Sequence, residues 1–163
     1  MKIPFAISAR TAHLIGMENF ANAEGAIIEL VKNAYDADAD TCVVVADIRE
    51  DNVKSKLFII DNGSGMTDEI IIKHWMTIGT DDKLLNARSS NKKRVKSGAK
   101  GIGRFALNRL GTSAEMLSFA SNEFGKGYVW NVDWKKFDKA RVLSDVEANL
   151  EEITIDYLAS KLN

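Results

Sequence analysis

A helix followed directly by two strand-like runs is the feature that most constrains the fold of this chain. Residues 25–39 predict a helix with four apolar side chains on one side. These are Ile27, Leu30, Val31 and Ala34. Residues 41–50 and 56–61 are rich in Val, Ile and Phe, and the polar connection between them predicts a β-hairpin. A hairpin here departs from the strand–helix–strand order that builds parallel sheets.

Helical patterns recur along the chain. Residues 11–24, 68–79 and 102–110 each predict a helix. The second of these helices follows a capping-type sequence at Thr67, and the third is closed by Gly111.

A second hairpin is predicted for residues 114–121 and 127–134. Its second strand alternates aromatic and apolar residues to one face, namely Tyr128, Trp130, Val132 and Trp134. The tail at 151–163 fits either a strand or a helix. Residues 80–100 are polar, basic and without a hydrophobic period, which predicts a long loop of the kind often used as a lid.

These elements predict an α/β (α+β) two-layer sandwich with a mixed, largely antiparallel sheet and helices on one face. The chain has 163 residues, of which 45% are hydrophobic. That is enough to bury one core, so we expect a single domain over residues 1–163.

Composition argues against several classes of protein. The 22 Lys plus Arg residues nearly balance the 23 Asp plus Glu residues, so there is no general reason to expect binding to nucleic acid or to an anionic membrane. The only cysteine, Cys42, lies in an apolar run and predicts a buried, unreactive thiol in a reducing compartment. No run is long enough to predict a membrane span, and we expect a cytoplasmic protein.

Polar residues form a stripe on the helix predicted at 25–39. Glu29, Asn33 and Asp36 fall within roughly 60° of one another at helical spacing, facing away from the apolar side. The stripe is either a solvated helix face or part of a site. An EF-hand reading of the aspartates at 36, 38 and 40 fails, because the loop lacks the required glycine and final glutamate. The scattered histidines and cysteine do not have zinc-ligand spacing.

Two glycine-rich stretches follow the helix. In GAKGIGRFA (98–106), backbone amides at the start of a helix, with Lys100 and Arg104, make a cradle for a polyanion, although a flexible hinge remains the alternative. No buried strand precedes this stretch, so a dinucleotide-binding Rossmann motif is excluded. In DNGSGM (61–66), Asp61 ends an apolar strand, either as a ligand-binding carboxylate or as a turn cap.

Taken together, the three stretches resemble the ATP-binding domain of the GHKL superfamily, which has the Bergerat fold and includes gyrase, the ninety-kilodalton heat-shock chaperone, histidine kinases and MutL. The motif ExxxNxxDA matches Glu29, Asn33, Asp36 and Ala37. The resemblance implies that Glu29 is the general base for the attacking water, that Asn33 holds Mg²⁺, and that Asp36 supports the nucleotide pocket.

The same resemblance implies a set of further nucleotide contacts. Asp61 would accept a hydrogen bond from the adenine amino group, and residues 80–100 would form the ATP lid. The other positions implied to contact nucleotide are Gly63, Gly65, Met66, Thr80, Gly98, Lys100, Gly101, Ile102, Gly103, Arg104 and Phe105.

By this resemblance, the chain would bind and hydrolyse ATP with Mg²⁺ and act as a switch that promotes dimerisation or engagement of a partner. Binding without turnover is the first alternative, and a histidine-kinase catalytic domain the second. Glu29 favours hydrolysis, because histidine kinases usually lack an acid at this place. A nucleic-acid site at residues 92–96 is the third alternative. Family members normally continue into further strands and, in hydrolysing members, a transducer domain, so we expect those parts to be absent here.

Overall fold

The computed structural model describes residues 1, 5–51, 54–79, 87–97 and 101–162. The helices are α1 (Ala9–Asn19), α2 (Ala23–Asp36), α3 (Asp68–Ile70), α4 (Ala106–Leu110), α5 (Lys135–Lys139) and α6 (Ile155–Leu162). The strands are β1 (Cys42–Asp47), β2 (Lys56–Asp61), β3 (Ser113–Ser118), β4 (Lys126–Asp133) and β5 (Asn149–Thr154). A π-helical turn, Ile71–Trp75, continues α3, and 3₁₀ turns lie at Gly103–Phe105 and Leu143–Asp145.

The described strands form two antiparallel sheets. β1 and β2 are the first hairpin, with Cys42 opposite Asp61, and β3, β4 and β5 form a three-stranded sheet with β4 in the centre. Both predicted hairpins and the α+β class are confirmed. The strands lie in two sheets where the sequence predicted one, and every strand pair in the described part of the chain is antiparallel.

The core is built on the central strand β4. Tyr128, Trp130 and Val132 alternate along it and are buried, as the sequence predicts. Val129, on the other face of the strand, is also fully buried. Trp75 packs edge-on against Trp130 with ring centroids 5.7 Å apart, which ties the π-helical turn to the sheet.

Helix α2 begins at a clear cap. Asn22 accepts a hydrogen bond from the Gly25 amide at 2.9 Å, and α1 ends before it at Asn19. The prediction of one helix over residues 11–24 is therefore wrong at its C-terminal end. Phe20, in the break, is buried in the core, so the chain turns there to bury a large side chain.

The buried side of α2 differs from the predicted one. Ala26, Leu30 and Ala34 are buried, whereas Val31 is 36% exposed. The spacing of four residues between buried positions keeps them along one line of the helix. The core-facing line is thus displaced towards the polar stripe.

The C-terminal segment contains both of the structures that its pattern allowed. Residues 149–154 are strand β5, which pairs with β4, and α6 follows at once. The predicted helix over 68–79 is also shorter than expected. It has one α-turn, capped by the Thr67 hydroxyl, and then widens to a π-turn.

Gly65 joins the first hairpin to the second sheet. Its φ is 68°, and a Cβ at this position would lie 2.1 Å from the Phe119 carbonyl oxygen. No side chain fits between these two backbones. The close approach brings the turn after β2 against the end of β3.

Replacing Gly65 with Ala should lower the free energy of unfolding by roughly 3 kcal/mol or more, because a left-handed Ala and a backbone clash are both unfavourable. Gly125→Ala is the matched control, since Gly125 has a φ of 75° and no atom within 4 Å of an added Cβ. The control should lose only about 1 kcal/mol. Urea unfolding followed by tryptophan fluorescence measures both values, and equal losses would show that the contact with Phe119 is not tight.

Candidate functional site

The polar stripe of α2 borders the core. Glu29 and Asn33 are partly buried, and Asp36 is only 8% exposed. A solvated face is therefore the wrong description of this stripe. The exposed side of the helix carries Ile28 and Tyr35 instead. The three polar side chains lie where other segments of the chain pack against α2.

The second glycine stretch packs directly on this stripe. A Cβ placed on Gly103 would lie 3.2 Å from Glu29 Oε1 and 3.4 Å from Asn33 Nδ2. The first distance is tighter than an ordinary contact, so a side chain at residue 103 would require the Glu29 side chain to move. Glu29 is also 3.9 Å from Lys32 Nζ, a weak and exposed ion pair. One carboxylate and one carboxamide thus lie beside the backbone of the glycine stretch.

The turn after β2 packs on the end of the same helix. A Cβ on Gly63 would lie 2.9 Å from Ala37 Cβ, and the Ser64 amide donates to the Ala37 carbonyl at 2.8 Å. Asp61 Oδ1 accepts a hydrogen bond from the Gly63 amide at 2.8 Å. Turn capping by Asp61 is therefore real, and it uses one of the two carboxylate oxygens.

Asn62 fixes the same turn from the other side. Its Oδ1 accepts hydrogen bonds from the amides of Asp40 and Thr41, both at 2.9 Å. Opposite Asp61 in the hairpin is Cys42, which is partly buried. Burial raises the pKa of the Cys42 thiol and the Asp61 carboxylate adds to the effect, which keeps the thiol protonated and unreactive.

Gly65 and Met66 connect the turn to the second sheet. The Met66 amide donates to Ser118 Oγ at 2.7 Å, and the Met66 side chain packs against the core. Gly65 contacts Phe119 as described above. The structure thus places both residues at the junction between the first hairpin and β3.

Arg104 and Phe105, which the sequence predicts to contact nucleotide, point into the protein. The Arg104 guanidinium donates to the carbonyls of His74 and Gly101, both at 3.1 Å, and lies 5.7 Å from the ring centroid of Trp75. Burial lowers the pKa of Arg104 to about 10. Phe105 is 2% exposed and packs in the aromatic core. Both side chains therefore support the glycine stretch from within.

The remaining predicted residues divide into two groups. Gly101 has a φ of 63°, a left-handed conformation suited to glycine, and Ile102 is partly buried against the core. Thr80, Gly98 and Lys100 lie outside the described residues. Of the predicted lid at 80–100, residues 87–97 and the hydrogen bonds they make are described.

Aspartates at the C-terminal end of α2 hold residues 87–97. Asp36 Oδ1 accepts from the Ser97 amide at 2.9 Å, and Asp38 Oδ2 accepts from the Asn91 amide at 2.8 Å. Asp40 pairs with Lys92. At the level of sequence, Asp38 and Asp40 come into question only as calcium ligands, a reading that fails, so their contacts with residues 87–97 were not predicted.

These contacts alter the acidity of two carboxyl groups. Burial acts to raise the pKa of Asp38, but the Ser89 hydroxyl and the Asn91 amide outweigh it, and the pKa lies below its ordinary value. The hydrogen bond and positive charge of Lys92 hold the pKa of Asp40 below its ordinary value. Both aspartates are therefore ionised at neutral pH.

Neither of two surface clefts along α1, α4 and α5 is lined by a sequence-predicted site residue. Of the predicted residues, Gly103 lies against Glu29 and Asn33 of α2, and Gly63 lies against Ala37 at the end of the helix. Within the described residues, no group of three or more His, Cys, Asp or Glu side chains could hold a metal ion. No helix in this part of the chain is long and apolar enough to cross a membrane.

One protein-family model matches most of the chain. Residues 21–161 match a family model described as "Histidine kinase-, DNA gyrase B-, and HSP90-like ATPase". The matched range includes α2 and both glycine stretches. No curated protein matches the chain. The resemblance to the GHKL superfamily is thereby confirmed, and the chain belongs to the histidine kinase-, DNA gyrase B- and HSP90-like ATPase family of ATP-binding domains.

Proposed function

We propose that this chain binds Mg-ATP on the polar stripe of α2 and hydrolyses it. One observation carries the proposal: a single helix contacts both glycine motifs. Gly103 lies against Glu29 and Asn33, and Gly63 lies against Ala37 one helical turn further on. A nucleotide lying along α2 would meet the second glycine stretch at one end and the Asp61 turn at the other.

Each motif supplies the chemistry that one part of the nucleotide requires. Asp61, through the carboxylate oxygen that does not cap the turn, would accept a hydrogen bond from the adenine amino group. Backbone amides of the glycine stretch would donate to phosphate oxygens. Gly103 allows this, because a side chain there would fill the space beside Glu29 and Asn33.

Glu29 is the group best placed to take a proton from water. It lies beside the glycine stretch, where the terminal phosphate would bind, and its carboxylate is partly buried. General-base catalysis needs such a carboxylate within hydrogen-bond reach of the attacking water.

The donor set near Asn33 fits magnesium bound together with a nucleotide. Mg²⁺ usually takes one or two protein oxygens and completes its shell with phosphate oxygens and water, so it requires no cluster of three acidic ligands. Asn33 would hold the ion through its side-chain oxygen, beside Glu29 and Gly103. When bound, Mg²⁺ neutralises negative charge on the phosphates.

We further propose that nucleotide binding acts as a switch, in which rearrangement of the 80–100 segment promotes dimerisation. The observation that supports it is the contact of residues 87–97 with the same helix that carries Glu29 and Asn33. A binding module without turnover is the alternative. Histidine-kinase activity is less favoured, because Glu29 provides a base for water.

Asp61→Asn should abolish ATP binding, because an amide at this position can present a donor to the adenine amino group in place of an acceptor. Isothermal titration calorimetry with ATP and Mg²⁺ measures the effect. Asp156→Asn, an exposed aspartate in the first turn of α6, is the matched control and should bind as the wild type does. Wild-type affinity in Asp61→Asn would remove Asp61 from the adenine site.

Glu29→Gln should lower the rate of ATP hydrolysis by about 100-fold or more while leaving ATP affinity within a few-fold of the wild-type value, because general-base catalysis contributes about 10²–10⁴-fold. Phosphate release measures turnover, and calorimetry measures binding. Glu147→Gln, at an exposed glutamate, is the control. Binding without turnover in the wild type would favour the binding module, and unchanged turnover in Glu29→Gln would exclude Glu29 as the base.

A further inference from the structure

We propose that Asp38, Asp40 and Arg94 are positioning residues that dock residues 87–97, here called the basic segment, on the C-terminal end of α2. In doing so they set where the chain enters the second glycine stretch. The inference rests on the proposed function for its effect on ATP. The docking itself is a property of the fold and can be tested without nucleotide.

Both the backbone and the side chain of Asp38 contribute to the docking. It has a φ of 65°, a left-handed conformation that most residues adopt only at a cost, and it is 7% exposed. Its Oδ2 accepts a hydrogen bond from the Asn91 amide at 2.8 Å. The turn after α2 thus aims a buried carboxylate at the backbone of the basic segment.

Arg94 supplies the reciprocal contacts from the basic segment. Its Nη1 donates to the Ala39 carbonyl at 2.6 Å and to the Tyr35 carbonyl at 3.3 Å. The guanidinium also lies 4.8 Å from the centroid of the Tyr35 ring. A cation at this place stabilises the carbonyls at the end of a helix, where the helix dipole is negative.

Asp40 adds ion pairs at the edge of the same dock. It pairs with Lys92 and lies 3.5 Å from Arg94 Nη2. The Asp40 side chain is 70% exposed, so solvent and salt screen these pairs, and they contribute less than the buried Asp38 contact. Their role is to hold the outer edge of the segment.

The basic segment is a small hairpin in its own right. Ser89 and Arg94 are joined twice, by the Ser89 amide to the Arg94 carbonyl and by the Arg94 amide to Ser89 Oγ, both at 2.8 Å. The Lys96 amide donates to the Ala87 carbonyl at 2.9 Å. Ser89 is 1% exposed. Because these hydrogen bonds join the two arms of the hairpin, docking at Asp38 also fixes the position of its other end.

That other end meets the polar stripe of α2. Ser97 donates to Asp36 Oδ1 from its amide at 2.9 Å and from its hydroxyl at 3.3 Å. Ser97 directly precedes the second glycine stretch, which returns to α2 at Gly103 beside Glu29. Ser97 and Gly103 are thus both held against one helix. Release of the dock would free Ser97 and leave Gly103 in contact with α2.

Limited trypsinolysis of the folded protein tests the docking, because the basic segment contains several Lys and Arg residues. Asp38→Gly keeps a backbone that adopts positive φ without strain but removes the carboxylate. It should raise the rate of cleavage after Lys92 and Lys93, followed by mass spectrometry, by about tenfold or more, because a lost hydrogen bond to a charged group is worth at least about that factor. Cleavage at the wild-type rate would overturn the docking.

Two further variants separate the contact from general damage to the fold. Asp38→Asn keeps a side-chain acceptor and tolerates the left-handed backbone, so it should stay within about threefold of the wild-type cleavage rate. Arg94→Lys keeps a trypsin site but loses the planar fork, and should speed cleavage. Arg141→Lys, at an exposed position, is its control. Equal effects of Arg94→Lys and Arg141→Lys would exclude Arg94 from the dock.

The positioning role is tested by ATP kinetics and affinity in the same variants. Asp38→Gly should raise the KM for ATP by about tenfold and lower kcat much less, since Glu29 stays on α2, with recovery in Asp38→Asn. Faster cleavage with an unchanged KM and Kd for ATP would leave the docking and overturn the positioning role. Absence of ATP binding in the wild type would end both the proposed function and the positioning role, whereas the cleavage rates would still decide the docking.

Discussion

The close packing of backbone against α2 is the constraint on which the rest of this structure depends. Gly63 approaches the end of the helix more closely than a residue with a Cβ could, and Gly103 lies against the Glu29 and Asn33 side chains. Because both stretches are in contact with one rigid element, their separation is set by the length of α2 and not by the loops that carry them. The Glu29 carboxylate, the Asn33 carboxamide and the two glycine turns therefore lie at fixed spacing along this helix.

Three aspartates at the C-terminal end of α2 hold a further segment of the chain against this helix. Asp36 lies on the helix, Asp38 on a left-handed residue after it, and Asp40 just before β1. Each contacts a different part of residues 87–97. The polar stripe and these anchors are therefore consecutive in sequence. A change at the end of the helix would therefore alter the contacts of Ser97, the residue that precedes the glycine stretch.

The hairpins and the helix cap depend on residues close together in the sequence, and the sequence predicted them. Runs rich in Val, Ile and Phe identified the first hairpin, and apolar alternation identified the second. Thr67 was recognised as a helix cap. The break between α1 and α2 escaped because it depends on burying Phe20, a tertiary contact. Val31 fits the apolar side by spacing alone, and its exposure follows from which neighbours pack on α2. The division of the strands into two sheets likewise depends on long-range packing.

The candidate site shows the same division between local and long-range information. The family resemblance implied that Glu29, Asn33 and Gly103 would act together, and in the structure Gly103 lies against both side chains. The sequence could not predict that Arg104 turns inward to the carbonyls of His74 and Gly101. Those acceptors come from another segment and from the loop's own conformation. A charge beside a glycine motif is compatible with either a phosphate ligand or a structural clamp, and only the packing distinguishes them.

Charge in the basic segment illustrates why composition is a poor guide to partners. Taken alone, residues 92–96 suggest a surface for nucleic acid, which binds through phosphates. In the folded chain, Lys92 pairs with Asp40, and Arg94 covers the C-terminal carbonyls of α2. A polyanion would have to displace these contacts before it could use those two charges. The net charge available to a partner is therefore smaller than the sequence suggests. Lys92 and Arg94 instead hold the basic segment against the end of α2.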